Sequence, residues 1–378
     1  MSTAAAVVRP VAGSTDLDRF VQLPWLIYRD DARWVPPLRA DVRAALDPKH
    51  PFYEHADVQL FLAWRDQTVV GRIAAILNRA HNQFHHDRLG FFGLFESVDD
   101  AAVAGALLQA AEAWLRERGC DAVQGPFNLS TNEELTSPGV LIDGFDRPPI
   151  VMMSHSPPYY QRLLEQCGYT GAKDLVAYWV DRTHQPPERL TRALERGVLD
   201  QGVTVRTLDM RHLERDVAFI QEVYNSAWER NWGFVPMTPA EVHYLAKHLR
   251  PVVRPELCLL AFSGERPIAF GLALPDYNQV LRRMNGRLLP FGVFKFMWYR
   301  HKVDRVRVIT LGVAPDWRHI GVDGMLLLQM FKGAVKLGMA EGECSWILED
   351  NWPMRRGIER AGGTVYKTYR VYGKDLSA

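Results

Sequence analysis

Val306-Arg-Val-Ile-Thr-Leu-Gly-Val-Ala-Pro-Asp-Trp-Arg318-His-Ile-Gly321-Val-Asp-Gly324-Met325 is the stretch whose reading decides the fold. Val306 to Val313 is rich in β-branched residues and reads as a strand. Pro315 interrupts it, a loop with Gly321 and Gly324 at its end follows, and an amphipathic helix runs from Gly324 to Leu337. The first turn of a helix presents N–H groups without intrahelical partners, and the helix dipole makes that end positive. Such an end binds anions. Gly321 and Gly324 let a diphosphate approach the backbone closely, and Arg318 adds a fixed positive charge.

Working outward, a strand is expected at Glu343–Glu349 and a helix at Pro353–Ala361. Upstream, helices are expected at Leu213–Trp228 and Thr238–Leu249, then strands at Leu257–Phe262 and Pro267–Leu274. The N-terminal half gives strands near Val58–Trp64, Val69–Leu77 and Leu89–Phe95, a helix at Ala101–Glu117 and a strand near Ala122–Phe127. The two halves repeat loosely. At one fixed offset they share Arg162/Arg356, Glu165/Glu359, Gly168/Gly362, Thr170/Thr364, Lys173/Lys367 and Tyr178/Tyr372. Both copies read as a short helix, a glycine stop and a strand. The join falls near Arg182–Pro187, so the expected domains are 1–182 and 183–378.

A chain of 378 residues suits two domains, and 47% apolar with 24% charged residues is ordinary for a globular protein. The net charge of +1 gives no reason to expect nucleic acid as a partner. Four cysteines, Cys120, Cys167, Cys258 and Cys344, are far apart and suit a reducing cytoplasm. The N-terminus lacks the pattern of a secretory signal, and no apolar run is long enough to span a bilayer.

The quoted stretch resembles the phosphate loop of the GNAT superfamily of acyl-CoA N-acyltransferases, R/Q-x-x-G-x-G/A after a strand. Arg318 and Gly321 fall in register, but Asp323 stands where Gly or Ala is expected, and Gly324 supplies the small residue one step later. The helix, strand, Asn351 and second helix that follow keep the GNAT order. The resemblance implies acyl-CoA as donor substrate, with no metal. It implies a donor site formed by Leu311, Gly312, Val313, Arg318, His319, Ile320, Gly321, Val322, Asp323, Gly324 and Asn351. The thioester would lie along the strand ending at Gly312 and Val313, where N–H groups can stabilise an oxyanion.

An amine acceptor is mostly protonated at neutral pH, so its proton must be taken by a base. Glu343, Ser345, Ile347 and Glu349 share one face of their strand. Glu349, nearest the strand end, is the expected base, with a salt-bridged structural role as the alternative. Many GNATs carry an acidic Tyr seven residues after the Asn. That position is Ile358 here, so Tyr366, Tyr369 and Tyr372 are its expected substitutes, with Tyr369 facing away from the other two.

The first half has no comparable loop: Ser97-Val-Asp-Asp-Ala-Ala-Val-Ala-Gly105 lacks Arg and carries two acids. It reads as a degenerate GNAT-like copy that does not bind CoA. Its polar residues between Asn128 and Glu134, with His155, Tyr159 and Tyr160, suit either a cleft between the halves or ordinary capping and loop bonding. His81 and His85 stand four apart without an acid in pattern, which favours a surface loop over a metal site. Arg282 to Lys302 is a dense aromatic and aliphatic run bracketed by basic residues. It suits a core helix, a tunnel for a long acyl chain, or peripheral contact with the inner membrane face.

Trp34-Val-Pro-Pro-Leu38, Gly90-Phe-Phe-Gly-Leu-Phe-Glu96, Asn285-Gly-Arg-Leu-Leu-Pro-Phe291 and Trp346-Ile-Leu-Glu-Asp-Asn351 extend the resemblance to a tandem GNAT family that includes bacterial ceramide synthases. The fold this implies is α+β: two tandem GNAT-like domains, each a mixed, mostly antiparallel sheet flanked by helices. The activity it implies is transfer of a long-chain acyl group to a sphingoid base or other amino lipid. Acetylation of a small amine or peptide, and acyl-CoA binding without catalysis, are the alternatives.

Overall fold

The computed structural model describes residues 5–132, 136–181, 188–229 and 231–377. The expected join at Arg182–Pro187, and Glu133 and Glu134 of the polar stretch, lie outside them. The chain first forms β1 (Val7–Pro10), α1 (Gly13–Gln22), α2 (Pro24–Ile27), α3 (Arg39–Ala45), β2 (Ala56–Arg65) and β3 (Thr68–Asn78). Next come α4 (Arg79–His85), β4 (Leu89–Ser97), α5 (Ala101–Arg116), β5 (Ala122–Gly125), β6 (Val140–Asp143), α6 (Tyr159–Gln166) and β7 (Thr170–Asp181). There follow α7 (Glu188–Leu199), β8 (Val203–Thr207), α8 (Leu213–Ala227), α9 (Pro239–Leu249), β9 (Cys258–Ser263) and β10 (Arg266–Pro275). The last elements are α10 (Asn278–Met284), α11 (Gly292–Tyr299), β11 (Arg305–Val313), α12 (Val322–Lys336), β12 (Glu341–Leu348), α13 (Trp352–Arg360) and β13 (Thr364–Asp375).

These form two compact units. Unit 1 comprises Met1–Leu175, Val280–Trp298 and Lys367–Ala378; unit 2 comprises Val176–Gln279 and Tyr299–Tyr366. The units therefore depart from a single cut at 182/183. Arg282 to Trp298 of the apolar insertion and Lys367 to Asp375 of the C-terminal strand, read as part of the second half, belong to unit 1.

In unit 1 the strands run β1-β2-β3-β4-β5-β13, with β6 also on β13. All of these pairs are antiparallel except β4 with β5. Val103, Leu107, Ala111 and Leu115 of α5 recur at helical spacing and are fully buried with Ile73, Ala75 and Phe92. Burying each large apolar side chain of this kind is worth roughly 1.5–3 kcal/mol. α4 replaces the surface loop expected at His81 and His85. His81 is buried edge-on to Phe91, and its ring centroid is 4.3 Å from that of His85.

The insertion is not a core helix. In unit 1 it is held at its first turn: Trp25 Nε1 donates to Asn285 Oδ1 at 2.7 Å, and the Arg39 N–H donates to the Gly286 carbonyl at 3.1 Å. Beyond that anchor Leu289, Phe291, Phe294 and Trp298 are each more than two-thirds exposed, at 73%, 71%, 72% and 71%.

In unit 2 the order is β12-β11-β10-β9-β8, parallel between β11 and β12 and otherwise antiparallel. The period of two along β9 sorts its side chains between two layers. Leu259 and Ala261 pack with Met325, Leu326 and Met330 of α12. Cys258, Leu260 and Phe262 pack with the start of α8. Helices thus cover both faces.

Candidate active site

β11 and β12 pair only from Arg305↔Glu341 to Val308↔Cys344, whereas β11 stays on β10 as far as Val313. The remaining length of β11 has lost its neighbour on one side. The Ala314 N–H donates to the Ile268 carbonyl at 2.8 Å, and Gly312 is opposite Phe270. N–H direction alternates along a strand, so the N–H groups of Leu311 and Val313 point to the released edge. Gly312 is buried, and a side chain there would meet the Trp228 ring.

A turn at Pro315–Trp317 leads to α12. Gly321 is its N-cap residue at φ +80°, a left-handed conformation that favours glycine, and no side chain caps the helix. Asp323 is in the first turn. His319 is exposed, Ile320 and Gly324 are half-buried, and Val322 is buried. Leu194 of α7 lies over the loop: a Cβ at Gly321 would be 2.8 Å from its Cδ1, and one at Gly324 would be 3.2 Å from its Cδ2. Arg318 is not simply a free cation. Its Nη2 donates to the Ala227 carbonyl at 2.6 Å and its Nε to the Val313 carbonyl at 3.3 Å, which ties the loop to the end of α8 and to β11. Asn351 caps α13, its Oδ1 accepting from the Met354 N–H at 3.4 Å.

A polar cluster is buried on β11 and β12. Glu343 is fully buried and accepts hydrogen bonds from the hydroxyls of Ser345 and Tyr366. Arg307 Nε donates to Ser345 Oγ at 2.9 Å and stands 3.9 Å from Glu343. Alternation along β12 holds, with Glu343, Ser345 and Ile347 on the buried side. Of the two acids expected on this face, Glu343 is the one bonded to Tyr366. Glu349 stands past the strand end, where its carbonyl accepts from Arg355 Nη1 at 2.6 Å. Tyr369 is fully buried in unit 1. Ile358 is packed in a core of Val176, Tyr178 and Ile347, so no hydroxyl stands at the usual acid position. Burial pushes the Cys344 thiol up to about 12, which keeps it protonated at neutral pH.

Unit 1 repeats the strand–helix–strand plan but fills its own gap. β4 and β5 pair from Leu89↔Ala122 to Phe91↔Gln124. The next residues then enter the space beside β4. The Phe127 N–H donates to the Phe92 carbonyl at 2.7 Å, and Asn128 Oδ1 accepts from the Leu94 N–H at 3.0 Å. The Phe127 carbonyl fills the place a side chain at Gly93 would take. The start of α5 is capped by Asp100, whose carboxylate accepts from the Ala102 N–H at 2.9 Å and also pairs with Arg65. Arg162 pairs with Asp99. A helix start already holding a carboxylate repels a second anion. Among the described polar residues from Asn128 onward, Asn128 Nδ2 donates to Thr136 and Ser130 Oγ accepts from the Asn132 N–H. Tyr159 and Tyr160 bond to the end of β4 at Ser97 and Glu96, and His155 to Asp31.

A strand released from its neighbour, followed by an uncapped glycine helix start, defines a GNAT-type fold, here in tandem. No family model matches the chain. Among solved structures it is similar to a tandem GNAT protein from the clavulanic acid biosynthesis pathway, with a TM-score of 0.60, 11% identity and 99% of each chain covered. It is also similar to a GCN5-related N-acetyltransferase from Sphaerobacter thermophilus, with a TM-score of 0.54, 17% identity and 98% and 96% covered. The bacterial ceramide synthase of Caulobacter vibrioides is 42% identical over 98% of this chain and 97% of its own length. Protein YghO of Escherichia coli is 36% identical over 98% of this chain and 95% of its own. The chain belongs to the tandem GNAT acyltransferase family that contains these two proteins.

Proposed function

We propose that the protein transfers a long-chain acyl group from acyl-CoA directly to the amine of a sphingoid base or other amino lipid. The observation that carries the reading is the released edge of β11 leading into the uncapped start of α12, in a chain 42% identical to a bacterial ceramide synthase. The diphosphate of the donor lies at the N–H groups of Val322 to Gly324, with Arg318 holding the loop in place. Leu194 shifts aside or lies against the donor. The thioester carbonyl accepts from the N–H groups of Leu311 and Val313 as the tetrahedral oxyanion develops.

The amine attacks as a neutral nucleophile. Its proton passes to Glu343 through Tyr366, whose hydroxyl already bonds that carboxylate. The C–N bond forms, the C–S bond breaks, and the departing thiolate takes that proton back from Glu343 through Tyr366 to leave as free CoA, with the amide as the other product. One domain, 183–378 in the sequence reading, thus does the loading, and the first half stays silent because its own residues occupy the corresponding edge. The exposed apolar ridge, with Arg282, Arg283, Arg287 and Lys295 around it, suits peripheral contact of a cytoplasmic protein with an anionic inner membrane face. No helix among the described residues is long and apolar enough to cross a membrane.

A competition assay tests the reading. Acetyl-CoA and palmitoyl-CoA are supplied together with sphinganine, and the products are identified by mass. The N-palmitoyl product should dominate; an N-acetyl product, or transfer only to small water-soluble amines, would refute the lipid assignment. Vesicle flotation tests the membrane contact, which Phe291→Ser with Phe294→Ser should abolish.

A further inference from the structure

The apolar insertion of unit 1 rises from a turn that holds two cations side by side. The Arg39 guanidinium lies over the Trp25 ring, 4.2 Å from its centroid, and its Nε is buried without a hydrogen-bond partner. Gly286 is pressed against the same ring: a Cβ there would be 2.3 Å from Trp25 Cζ2. The Arg39 N–H donates to the Gly286 carbonyl at 3.1 Å, which sets Arg287, the next residue, beside Arg39. Arg287 is exposed. The charge acting on the Arg39 guanidinium is this like one, and no carboxylate among the described residues offsets it. Like charges held together repel unless an anion joins them.

Beyond this foot the chain turns apolar and faces water. The Lys295 N–H bonds the Phe291 carbonyl at 3.0 Å, so the helical repeat of α11 already includes Phe291. Phe291, Phe294 and Trp298 then stand three and four apart, which puts three largely exposed rings on one side of the helix, with Leu289 just before them. Lys295 borders that side, and its Nζ donates to the Arg283 carbonyl at 2.9 Å. Exposed apolar surface of this extent marks a docking face. The charges choose its occupant. A second copy of this chain, meeting ridge to ridge about a twofold axis, would set Arg287 and Lys295 against the same cations. An anionic bilayer offers hydrocarbon to the ridge and phosphates to its foot. A short helix with Phe, Leu and Trp on one side and Arg and Lys at its borders is the pattern of an interfacial helix.

We propose that Arg39 and Arg287 bind the phosphates of anionic phospholipids while Leu289, Phe291 and Phe294 enter the hydrocarbon, so that the insertion selects bilayers rich in such lipids. The inference rests on the membrane contact proposed above, not on the acyl-transfer chemistry, and names the headgroup that the contact recognises. Arg39 lies outside the insertion in sequence, on the segment that anchors it. Trp25 fixes the plane of its guanidinium, so the fork is set before lipid arrives, and a guanidinium fork pairs two N–H groups with one phosphate. Arg287 adds charge from an exposed position and holds no part of the fold.

Vesicle binding by the full chain, without acyl-CoA or amine, tests this. One set of vesicles is phosphatidylcholine alone; the other holds phosphatidylcholine and phosphatidylglycerol in equal parts. The wild type should bind the mixed vesicles at least about tenfold more tightly. Arg287→Gln and Arg39→Gln should each weaken that binding by about fivefold, with neutral vesicles little changed. Arg39→Lys keeps the charge without the fork and should recover part of the loss. Arg118→Gln removes another cation of unit 1 that lies over a tryptophan, 3.8 Å from the Trp114 centroid, and should leave binding unchanged. Melting curves exclude a folding defect, and Arg287→Gln carries the test if Arg39→Gln does not fold. Equal binding of the two vesicle types, or equal losses in Arg287→Gln and Arg118→Gln, would overturn the assignment. Release of the protein by inorganic phosphate, at salt matched with chloride, would also overturn it, by making the pair a site for a free anion. A protein that binds anionic vesicles through Arg287 yet releases CoA from no acyl-CoA would keep this site and lose the acyltransferase reading. An enzyme active on detergent-dispersed substrates but indifferent to anionic vesicles would do the reverse.

Discussion

The hydroxyl of Tyr366 donates to the carboxylate of Glu343, a side chain with no exposure to solvent. Ser345 donates to the other oxygen and Arg307 stands 3.9 Å away, so the buried carboxylate is paired and hydrogen-bonded. A buried carboxylate is costly unless it is paired in this way. If the pair moves the amine proton, Tyr366→Phe should lower kcat by roughly 10²–10⁴-fold with little change in the KM of the donor. Glu343→Gln should do the same, and the double variant should be no worse than the poorer single one. Stopped-flow thiol release, alongside melting curves, reads this. A Tyr366→Phe enzyme with full kcat would make the pair purely structural.

Gly321 bears on donor loading. Alanine at its positive φ costs roughly 1–2 kcal/mol of backbone strain. The added methyl also meets Leu194 at 2.8 Å. Gly321→Ala should raise the donor KM and lower Tm, with kcat least affected. Adding Leu194→Ala should recover the steric part of the loss and not the backbone part. Donor saturation curves for the two variants separate them.

Unit 1 should take no donor. Asn128 accepts from the Leu94 N–H at the place where the released edge of β11 offers its own N–H groups. Calorimetry should therefore give one acyl-CoA per chain. Asn128→Ala leaves the Leu94 N–H unpaired and should cost about 1–3 kcal/mol in stability without adding a second donor. A stoichiometry of two would contradict the silent-half reading.

His155 predicts a pH dependence of stability. Burial lowers its folded pKa, with Lys367 and Arg33 adding to the effect and Asp31 opposing it. In the unfolded chain a histidine protonates near pH 6.5. Between the two values the unfolded state holds more protons, so stability rises with pH there. The contribution is complete above about pH 6.5 and is lost as pH falls toward the folded value. Melting temperatures followed downward from pH 7 should drop less steeply in His155→Gln than in the wild type.

Much of this was legible in residue patterns, and the failures have physical causes. β9, β10, β11 and α12 follow from period-two and helical spacing, because each buries one face on a core. The strand expected at Ala122–Phe127 stops at Gly125, because Phe127 leaves the ladder to bond the Phe92 carbonyl. Pro126, which has no N–H to give to a ladder, is the local signal for that stop. Glu343 and Glu349 share strand parity, and nearness to the strand end is what favours Glu349 in the sequence; that Tyr366 bonds Glu343 needed the fold. Arg318 reads as a free cation in a motif, yet its partners are carbonyls at Ala227 and Val313. Asp31 and His155 are 124 positions apart and match no pattern, so their pairing needed the fold. The aromatic run after Asn285 suited core and surface alike. Only its exposure decides between them.

The central claim is tested most directly by following free thiol and lipid product together, with palmitoyl-CoA and sphinganine as the only substrates. The account predicts CoA release in equal amount to N-palmitoyl sphinganine, abolished without the amine. Tight palmitoyl-CoA binding with no CoA released, for any long acyl chain and any amino lipid, would contradict it.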